Sequence, residues 1–462
     1  MRSPQLLPFF SLLFIALTSL AQPPNIVILL ADDLGWADVG FHADRMKTPH
    51  LDALAKGGAE LDRFYVCPMC TPTRAATLTG RYPIRFGLAR AVIPPWRDYG
   101  LDTTEVTMAK ALGEVGYAHR GIFGKWHLGH TEKKWHPNAR GFTEFRGHYN
   151  GAIDYFSLER EGERDWHHNG QPSDQTGYAT DLIADAAAAF IQKHAGEEAP
   201  YFCYVPFNAP HSPFQAPEEY LKAVTNKSNK VEQTLAAMIH CMDDGIGRIL
   251  TAVKESGEED NTMVWFFSDN GGVKKVKSNN RPLRGDKLSA FEGGIRVPAC
   301  VRWPAGGIPA GSKVTVPLSC MDIFPTVLHL SGVEESAGKP FDGVDVFDVI
   351  AGTRKQLERP LFFYHGQSGE EVSAIITAKW KLVIEKGPDL RDGFVKAHQH
   401  FLFAIQKDPN EKKDLAKKHP EVVAELAGKL VAWRKLQVAN PVPVYGGGKG
   451  AFKAPKLWQV RE

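Results

Sequence analysis

Four stretches of this chain share one plan, an apolar run that stops abruptly at polar or ionisable residues. Residues 25–31 end in Asp32-Asp33, and residues 262–267 end in Ser268-Asp269-Asn270-Gly271-Gly272. Residues 117–123, more polar than the others, end in Gly124-Lys125-Trp126-His127-Leu128-Gly129, and residues 201–207 end in Asn208-Ala209-Pro210-His211. Near-continuous apolar runs without clean alternation predict strands buried on both faces, as in a sheet enclosed by helices. Helical patterns lie between them over 181–194 and over 231–256, where Gly245 and Gly247 weaken the case for one unbroken helix. Strands alternating with helices predict an α/β fold built on a large mixed, mostly parallel sheet flanked by helices. In such sheets ligands bind beyond the carboxyl ends of the strands, which is where all four polar clusters fall.

Beyond Gly307 the pattern changes. Residues 322–328 read as a helix start, 343–350 close the large domain, and from about Arg359 short strands bearing Phe and Tyr take over, with a hairpin over 374–384. A helix over 420–436 and a Pro- and Gly-rich tail follow. The organisation expected is a catalytic domain over 22–355 and a smaller C-terminal α+β subdomain over 356–462, an antiparallel sheet with one packed helix. At the other end, Arg2, the apolar run 6–20 and the small residues of Ser19-Leu20-Ala21 predict a secretory signal peptide over 1–21, and hence an exported, periplasmic or secreted protein. That run is short for a membrane span, so no stable membrane insertion is expected.

Composition then narrows the partners. The 55 basic and 53 acidic residues leave a net charge of +2 with no basic block, which gives no field to attract nucleic acid. Six cysteines in an exported chain of 462 residues are too few for a disulfide scaffold. Cys203, Cys241, Cys300 and Cys320 lie singly in apolar segments and read as buried thiols. Cys67-Pro68-Met69-Cys70 admits a redox pair, a disulfide or half of a metal knuckle beside a catalytic role for Cys70.

Charge also points to a site. Asp32, Asp33 and Asp269, beside the Asn270 amide, would repel one another at close range unless protons or a cation intervene, and oxygen-only ligands favour a hard ion such as Ca²⁺ or Mg²⁺. Taken alone, Asp32-Asp33-Leu34-Gly35 would equally cap a helix or make a turn. Arg74, Lys125, His127, His211 and Lys287 form a cationic set suited to a fixed anion, although Lys125 or His127 in isolation would read as an ordinary surface or core residue. Pro72 suits a first helical position, which puts Cys70 at or just before a helix N-terminus whose free N–H groups favour anions. Residues 135–178 hold His136, His148, Tyr149, Trp166, His167 and His168, which suit either a sugar site or packing on their own domain.

Cys70-Thr71-Pro72-Thr73-Arg74, followed by Thr79-Gly80-Arg81, resembles the C-x-P-x-R and T-G-R signature of the type I sulfatases of the alkaline phosphatase superfamily. Asp32-Asp33-Leu34-Gly35-Trp36 resembles their first metal-binding pair, Asp269-Asn270-Gly271 the second, and the segment from Gly124 to Gly129 their G-K-W-H-L-G. Lys287 ahead of Glu292-Gly293-Gly294-Ile295-Arg296-Val297-Pro298 resembles the substrate lysine, and His211 the histidine facing the leaving group. Residues 401–411 resemble the C-terminal L-x-x-D-P-x-E region. The resemblance runs from about Asn25 to Pro298 and then thins. His119 stands where the family often has threonine, and the further polar residue that many members place near the sulfate has no aligned counterpart, with Tyr149-Asn150 the nearest stretch.

The resemblance implies a sulfuric ester hydrolase of arylsulfatase type acting on a sulfated carbohydrate or aryl sulfate. It implies Ca²⁺, ahead of Mg²⁺, held by Asp32, Asp33, Cys70, Asp269 and Asn270, with Cys70 oxidised to formylglycine (3-oxoalanine) by a separate maturation enzyme. Catalytic roles would fall to Cys70, Arg74, Lys125, His127, His211 and Lys287. The hydrated aldehyde, held by Arg74 and Lys125, attacks sulfur in line while His211 or Lys287 protonates the departing alcohol, and His127 takes the proton whose loss releases sulfate from residue 70. Export favours a sulfated polysaccharide or oligosaccharide over a small aryl sulfate. Two other classes stay open at this point: a phosphate or phosphonate ester hydrolase on the same scaffold, which would need additional His and Asp ligands for zinc or manganese, and a secreted glycan-binding protein without turnover.

Overall fold

Strands β1 (Asn25–Ala31), β2 (His119–Lys125), β3 (Glu144–His148), β4 (Tyr201–Pro206), β5 (Thr262–Ser268) and β6 (Ala299–Arg302) make up the middle of a ten-stranded sheet in the computed structural model of the protein. The structure describes residues 22–225, 227–276, 279–333, 338–368, 370–385, 399–446 and 448–460. The expected signal peptide, 1–21, lies outside the described residues. The order is β6-β5-β1-β4-β2-β3, extended on one side by 59–61 and 312–314 and on the other by 167–168 and 171–172. β5, β1, β4, β2 and β3 run parallel, whereas β6 is antiparallel to β5.

Every residue of β1 is buried, and the strand's period of two divides them between the faces. Ile26, Ile28 and Leu30 join Phe202, Met263 and Trp265 in one core, while Val27, Leu29 and Ala31 join Cys203, Val264 and Phe266 in the other. Helix α1 (Cys70–Thr79) packs Ala75, Ala76 and Leu78 into the first core. Helices α2 (Ala179–Lys193) and α3 (Lys230–Glu255) cover the second, which explains why the apolar runs show no alternation. Each fully buried aliphatic side chain contributes roughly 1.5–3 kcal/mol, so a central strand covered twice anchors the domain.

α3 runs unbroken for 26 residues in spite of Gly245 and Gly247. At Gly245 the helix crosses α2 so closely that a Cβ would lie 2.9 Å from the Ala184 Cβ. Helix contact therefore overrides the propensity cost of about 1 kcal/mol per glycine. β2 starts and ends two residues later than its apolar pattern implies, because Tyr117 turns away to donate its hydroxyl to the Pro24 carbonyl at 2.7 Å, and Gly124 and Lys125 continue the ladder against Gly147 and His148.

Strands β7 (Leu361–His365), β8 (Val372–Ile376), β9 (Lys381–Glu385) and β10 (Gln399–Phe403) form a separate antiparallel sheet in sequence order, with β8 and β9 the expected hairpin. Helix α4 (Pro420–Arg434) follows, and its Trp433 stacks on Phe362 with ring centroids 5.2 Å apart. Among the described residues no helix is long and apolar enough to cross a membrane.

Candidate active site

The register of β1 on β5 pairs Ala31 with Ser268, so Asp32 and Asp269 emerge side by side from the carboxyl ends of adjacent parallel strands. The Asp33 backbone N–H donates to Asp269 Oδ1 at 3.2 Å, tying the two acidic pairs together. Lys125 arrives from the end of β2, and α1 brings Cys70 and Arg74. The helix begins at Cys70 itself; Pro72 occupies its third position rather than its first, where the missing N–H is still one of the four that a helix start leaves unused.

Each carboxylate meets its own base. Arg74 donates to Asp269 Oδ2 from Nε at 3.0 Å and from Nη2 at 2.8 Å. Lys125 Nζ donates to Asp32 Oδ2 at 2.6 Å, and Lys287 Nζ to Asp33 Oδ1 at 2.5 Å. Asn270 Nδ2 also donates to Asp33 Oδ1, at 2.7 Å. Asp32, Asp269, Arg74 and Lys125 are fully buried. Three basic side chains thus supply the counter-charge that the carboxylates need. Adding a divalent cation would leave the cluster net positive, which suits an anionic substrate.

Two acceptors stay orphaned, for Asp32 Oδ1 and Asn270 Oδ1 are buried with no hydrogen-bond partner. Ligand atoms of Asp32, Cys70 and Asp269 lie within 4.8 Å of one another, as do those of Asp32, Asp33 and His211. Buried oxygens left open among carboxylates are the donor set a hard cation takes, so these residues fit Ca²⁺ or Mg²⁺.

Burial governs the titration of the cluster. It raises the Asp269 carboxyl to about 6, with Asp32 adding to the effect against Arg74. Burial would raise Asp33 likewise, but Lys287 and then His211 pull it well below the usual carboxylate range. Lys287 is held above the ordinary lysine value because Asp33 outweighs its desolvation. Burial lowers His211 to about 3 and His127 well below the ordinary histidine value, helped in both by neighbouring lysines. The Cys70 thiol is pushed up by burial although Lys125 and Lys287 oppose it, so the unmodified thiol is a weak nucleophile here.

Cys70, His127, His211 and Lys287 line one cavity of about 380 Å³, together with Arg160 and Tyr445. His127 and Asp33 both adopt left-handed backbone conformations, at φ 58° and 66°, a strain of order 1–3 kcal/mol each that the surrounding packing must hold. The ring of His127 fits over Gly151, where a Cβ would come within 2.4 Å of it. Its Nε2 sits 3.0 Å from the Ile93 carbonyl, so that nitrogen carries the hydrogen, and Nδ1 is buried with its lone pair unused.

Buried Asp165 organises the segment beneath. It accepts from the backbone N–H groups of Tyr149 and Asn150, from Asn150 Nδ2 and from His167 Nε2, at 2.8–3.1 Å. The held segment in turn takes the Trp126 and His127 N–H groups on its His148 and Tyr149 carbonyls. The Tyr149 ring lies between His136 and His167, and Trp166 and His148 are buried beside it. Of the six residues singled out in this stretch only His168 is exposed, while Phe156, in the same stretch, is 50% exposed. His136, His148, Tyr149, Trp166 and His167 therefore pack within their own domain. His119 is at the opposite end of β2, stacked on His194 and paired with Glu197. All six cysteines are free thiols, which removes the disulfide reading of Cys67 and Cys70.

Arg160, Asp165, Gln367 and Tyr445 belong to the site or its support and lie in none of the motifs. A family model described as Sulfatase matches residues 24–333. Similar curated proteins include Arylsulfatase J of Mus musculus, 31% identical over 95% of this chain and 80% of that protein. N-acetylgalactosamine-6-sulfatase of Mus musculus is 34% identical over 79% of this chain and 73% of that protein. Among solved structures, Ps i-CgsB in complex with k-i-k-neocarrahexaose aligns with a TM-score of 0.84 at 32% identity, covering 93% of this chain and 96% of that chain.

Proposed function

Because the chain belongs to the sulfatase family, and is a sulfate ester hydrolase, we propose that it removes sulfate from a sulfated carbohydrate through a formylglycine made from Cys70 and a Ca²⁺ ion. The convergence of Cys70 with three carboxylates, three bases and two orphaned oxygens at one end of the sheet carries this reading. Asp32, Asp33, Asp269, Asn270 and residue 70 would hold the ion. Bound there, it would draw charge from the sulfate oxygens and from the nucleophile. A maturation enzyme is required, because a thiol lacks the paired hydroxyls of a hydrated aldehyde. Relatives named for N-acetylgalactosamine-6-sulfate and a similar structure holding a neocarrahexaose support a glycan over a small aryl sulfate, and the Ser19-Leu20-Ala21 pattern supports export.

The chain's own groups divide the remaining work. Arg74, tied to the Lys125 carbonyl and Asp269, and Lys125, tied to Asp32, would hold the attacking hydroxyl of residue 70. Lys287, which lines the cavity and is paired with Asp33, would give its proton to the leaving alcohol. His211 donates from Nδ1 to the Ser212 carbonyl at 2.6 Å, which leaves Nε2 of the neutral ring as an acceptor, so Lys287 is the better donor of the two. The unused Nδ1 lone pair of His127 supports its taking the proton whose loss releases sulfate. A phosphate or phosphonate ester hydrolase calls for more nitrogen ligands than His211, the one imidazole grouped with Asp32 and Asp33 among the described residues.

Mass spectrometry of the tryptic peptide 64–74 from active enzyme tests the nucleophile, with the expected finding that the CH₂–SH of Cys70 is replaced by CHO. Full activity from protein carrying only the thiol would refute it. A desulfation screen on defined glycans with Ca²⁺-supplemented, matured enzyme tests the substrate class.

A further inference from the structure

The cavity over Cys70 contains a cation that the chemistry above leaves unused. Arg160 sits on a small hairpin that pairs Glu159–Arg160 with Glu163–Arg164, and its side chain lines the cavity alongside Cys70, His211 and Lys287. Its Nε is buried with no hydrogen-bond partner, and Glu161 Oε1 approaches Nη2 only to 3.5 Å. The side chain is 24% exposed, so its charge is partly desolvated and only loosely met by Glu161.

The hairpin is clamped by the far end of the chain. Trp458 Nε1 donates to the Arg160 carbonyl at 3.0 Å, and the Leu457 N–H donates to Glu163 Oε2 at 3.0 Å. Trp458 is itself buried, edge-on to His130 and against Phe452. Gln367 and Tyr445, which line this cavity, also line an adjoining one of about 450 Å³ together with Glu370 and Glu385.

We propose that Arg160 is a specificity-determining residue that pairs with a second anionic group of the substrate, a sulfate or carboxylate on the sugar bearing the scissile ester or on its neighbour. The proposal rests on the sulfated-carbohydrate reading. Arg74, Lys125 and Lys287 are engaged by the acidic cluster, so recognition of a second anion needs a separate donor, and the planar guanidinium of Arg160, lining the cavity with Glu161 no closer than 3.5 Å, supplies one.

The test compares kcat/KM of matured wild type, Arg160→Ala and Arg160→Lys on matched oligosaccharides differing by one additional sulfate, on a second pair differing by one carboxylate, and on 4-nitrophenyl sulfate. Wild type should prefer the doubly anionic member of at least one pair by about 10- to 100-fold, and the pair that shows it identifies the group. The ratio should collapse towards one in Arg160→Ala, survive in part in Arg160→Lys, and shrink as salt is added. No preference in wild type, or a preference that persists in Arg160→Ala, overturns the assignment while 4-nitrophenyl sulfate turnover leaves the sulfatase chemistry standing. Matured enzyme that hydrolyses neither glycans nor 4-nitrophenyl sulfate defeats the parent reading and takes this one with it.

Discussion

Two networks of buried charge flank the loop that carries Lys287, and they use similar residues to opposite ends. At the junction with the C-terminal sheet, Lys381 Nζ lies 2.9 Å from Glu292 Oε1 and 2.8 Å from Glu411 Oε1. Glu292 also accepts from the Tyr65 hydroxyl at 3.0 Å, while its own N–H donates to Glu411 Oε2 at 2.7 Å. Arg296 joins at 3.5 Å and lies over the Trp36 ring. Glu292 and Arg296, although part of a motif shared with sulfatases, clamp two sheets together and do not line the cavity over Cys70. At the other network, Asp32, Asp33 and Asp269 are also ion-paired, yet Asp32 Oδ1, Asn270 Oδ1 and His127 Nδ1 are left open, and Lys287 and His211, which pair with Asp33, line that cavity. At the junction only Glu411 Oε1 lacks a hydrogen bond and it is met by the Lys381 charge, so that network serves the fold, whereas the open oxygens beside Cys70 can act on a ligand.

The largest contrast should come from Cys70→Ala, which should lower kcat by about 10⁴-fold or more while the melting temperature stays close to that of wild type. Next, Lys381→Met leaves Glu292 buried beside an apolar stem and should cost about 3–5 kcal/mol in urea unfolding, with kcat of the folded fraction largely retained. Activity lost at full stability would show that the junction is part of the chemistry and break the comparison.

Chelation by EGTA should abolish turnover and lower the melting temperature, both restored by Ca²⁺. Saturating ion is worth about 3–4 kcal/mol at 100 to 1,000 times its dissociation constant. Asp32→Asn should lose most of that Ca²⁺-dependent shift, whereas Lys381→Met should keep it.

The smallest effect expected is on pH dependence. Burial raises the Glu411 carboxyl to about 7 against the pull of Lys381. The folded chain then binds this proton more tightly than the unfolded one, so the group's stabilisation is full below its unfolded value near 4.5 and is lost as pH rises through about 7. Urea unfolding at pH 5 and pH 7 should show a smaller decline for Glu411→Gln than for wild type. Equal declines would mean that Glu411 does not titrate within the network.

The core strands were legible because a strand buried on both faces must be apolar throughout, and its carboxyl end announces itself where Asp32, Lys125 or Asp269 follows. Helix α3 was harder, since what decides Gly245 is Ala184 on another helix. Arg160 and Asp165 sit in no motif. Arg160 gains its meaning from Trp458, 298 residues away in sequence, and Asp165 from backbone N–H groups that any sequence would supply. Trp166 and His148 looked available to a ligand because residue type does not reveal which face a loop turns inward.

By itself the sequence determined the alternation of strand and helix, the placement of ionisable groups at strand ends and the family resemblance around Cys70, all of which follow from local periodicity and short spacing. Tertiary structure alone decided that Arg74 pairs with Asp269, Lys125 with Asp32 and Lys287 with Asp33, and that certain oxygens and nitrogens beside them go unpaired. The reason is one of range: hydrogen bonding acts over about 3 Å, between residues that here stand 93 to 254 positions apart in the chain.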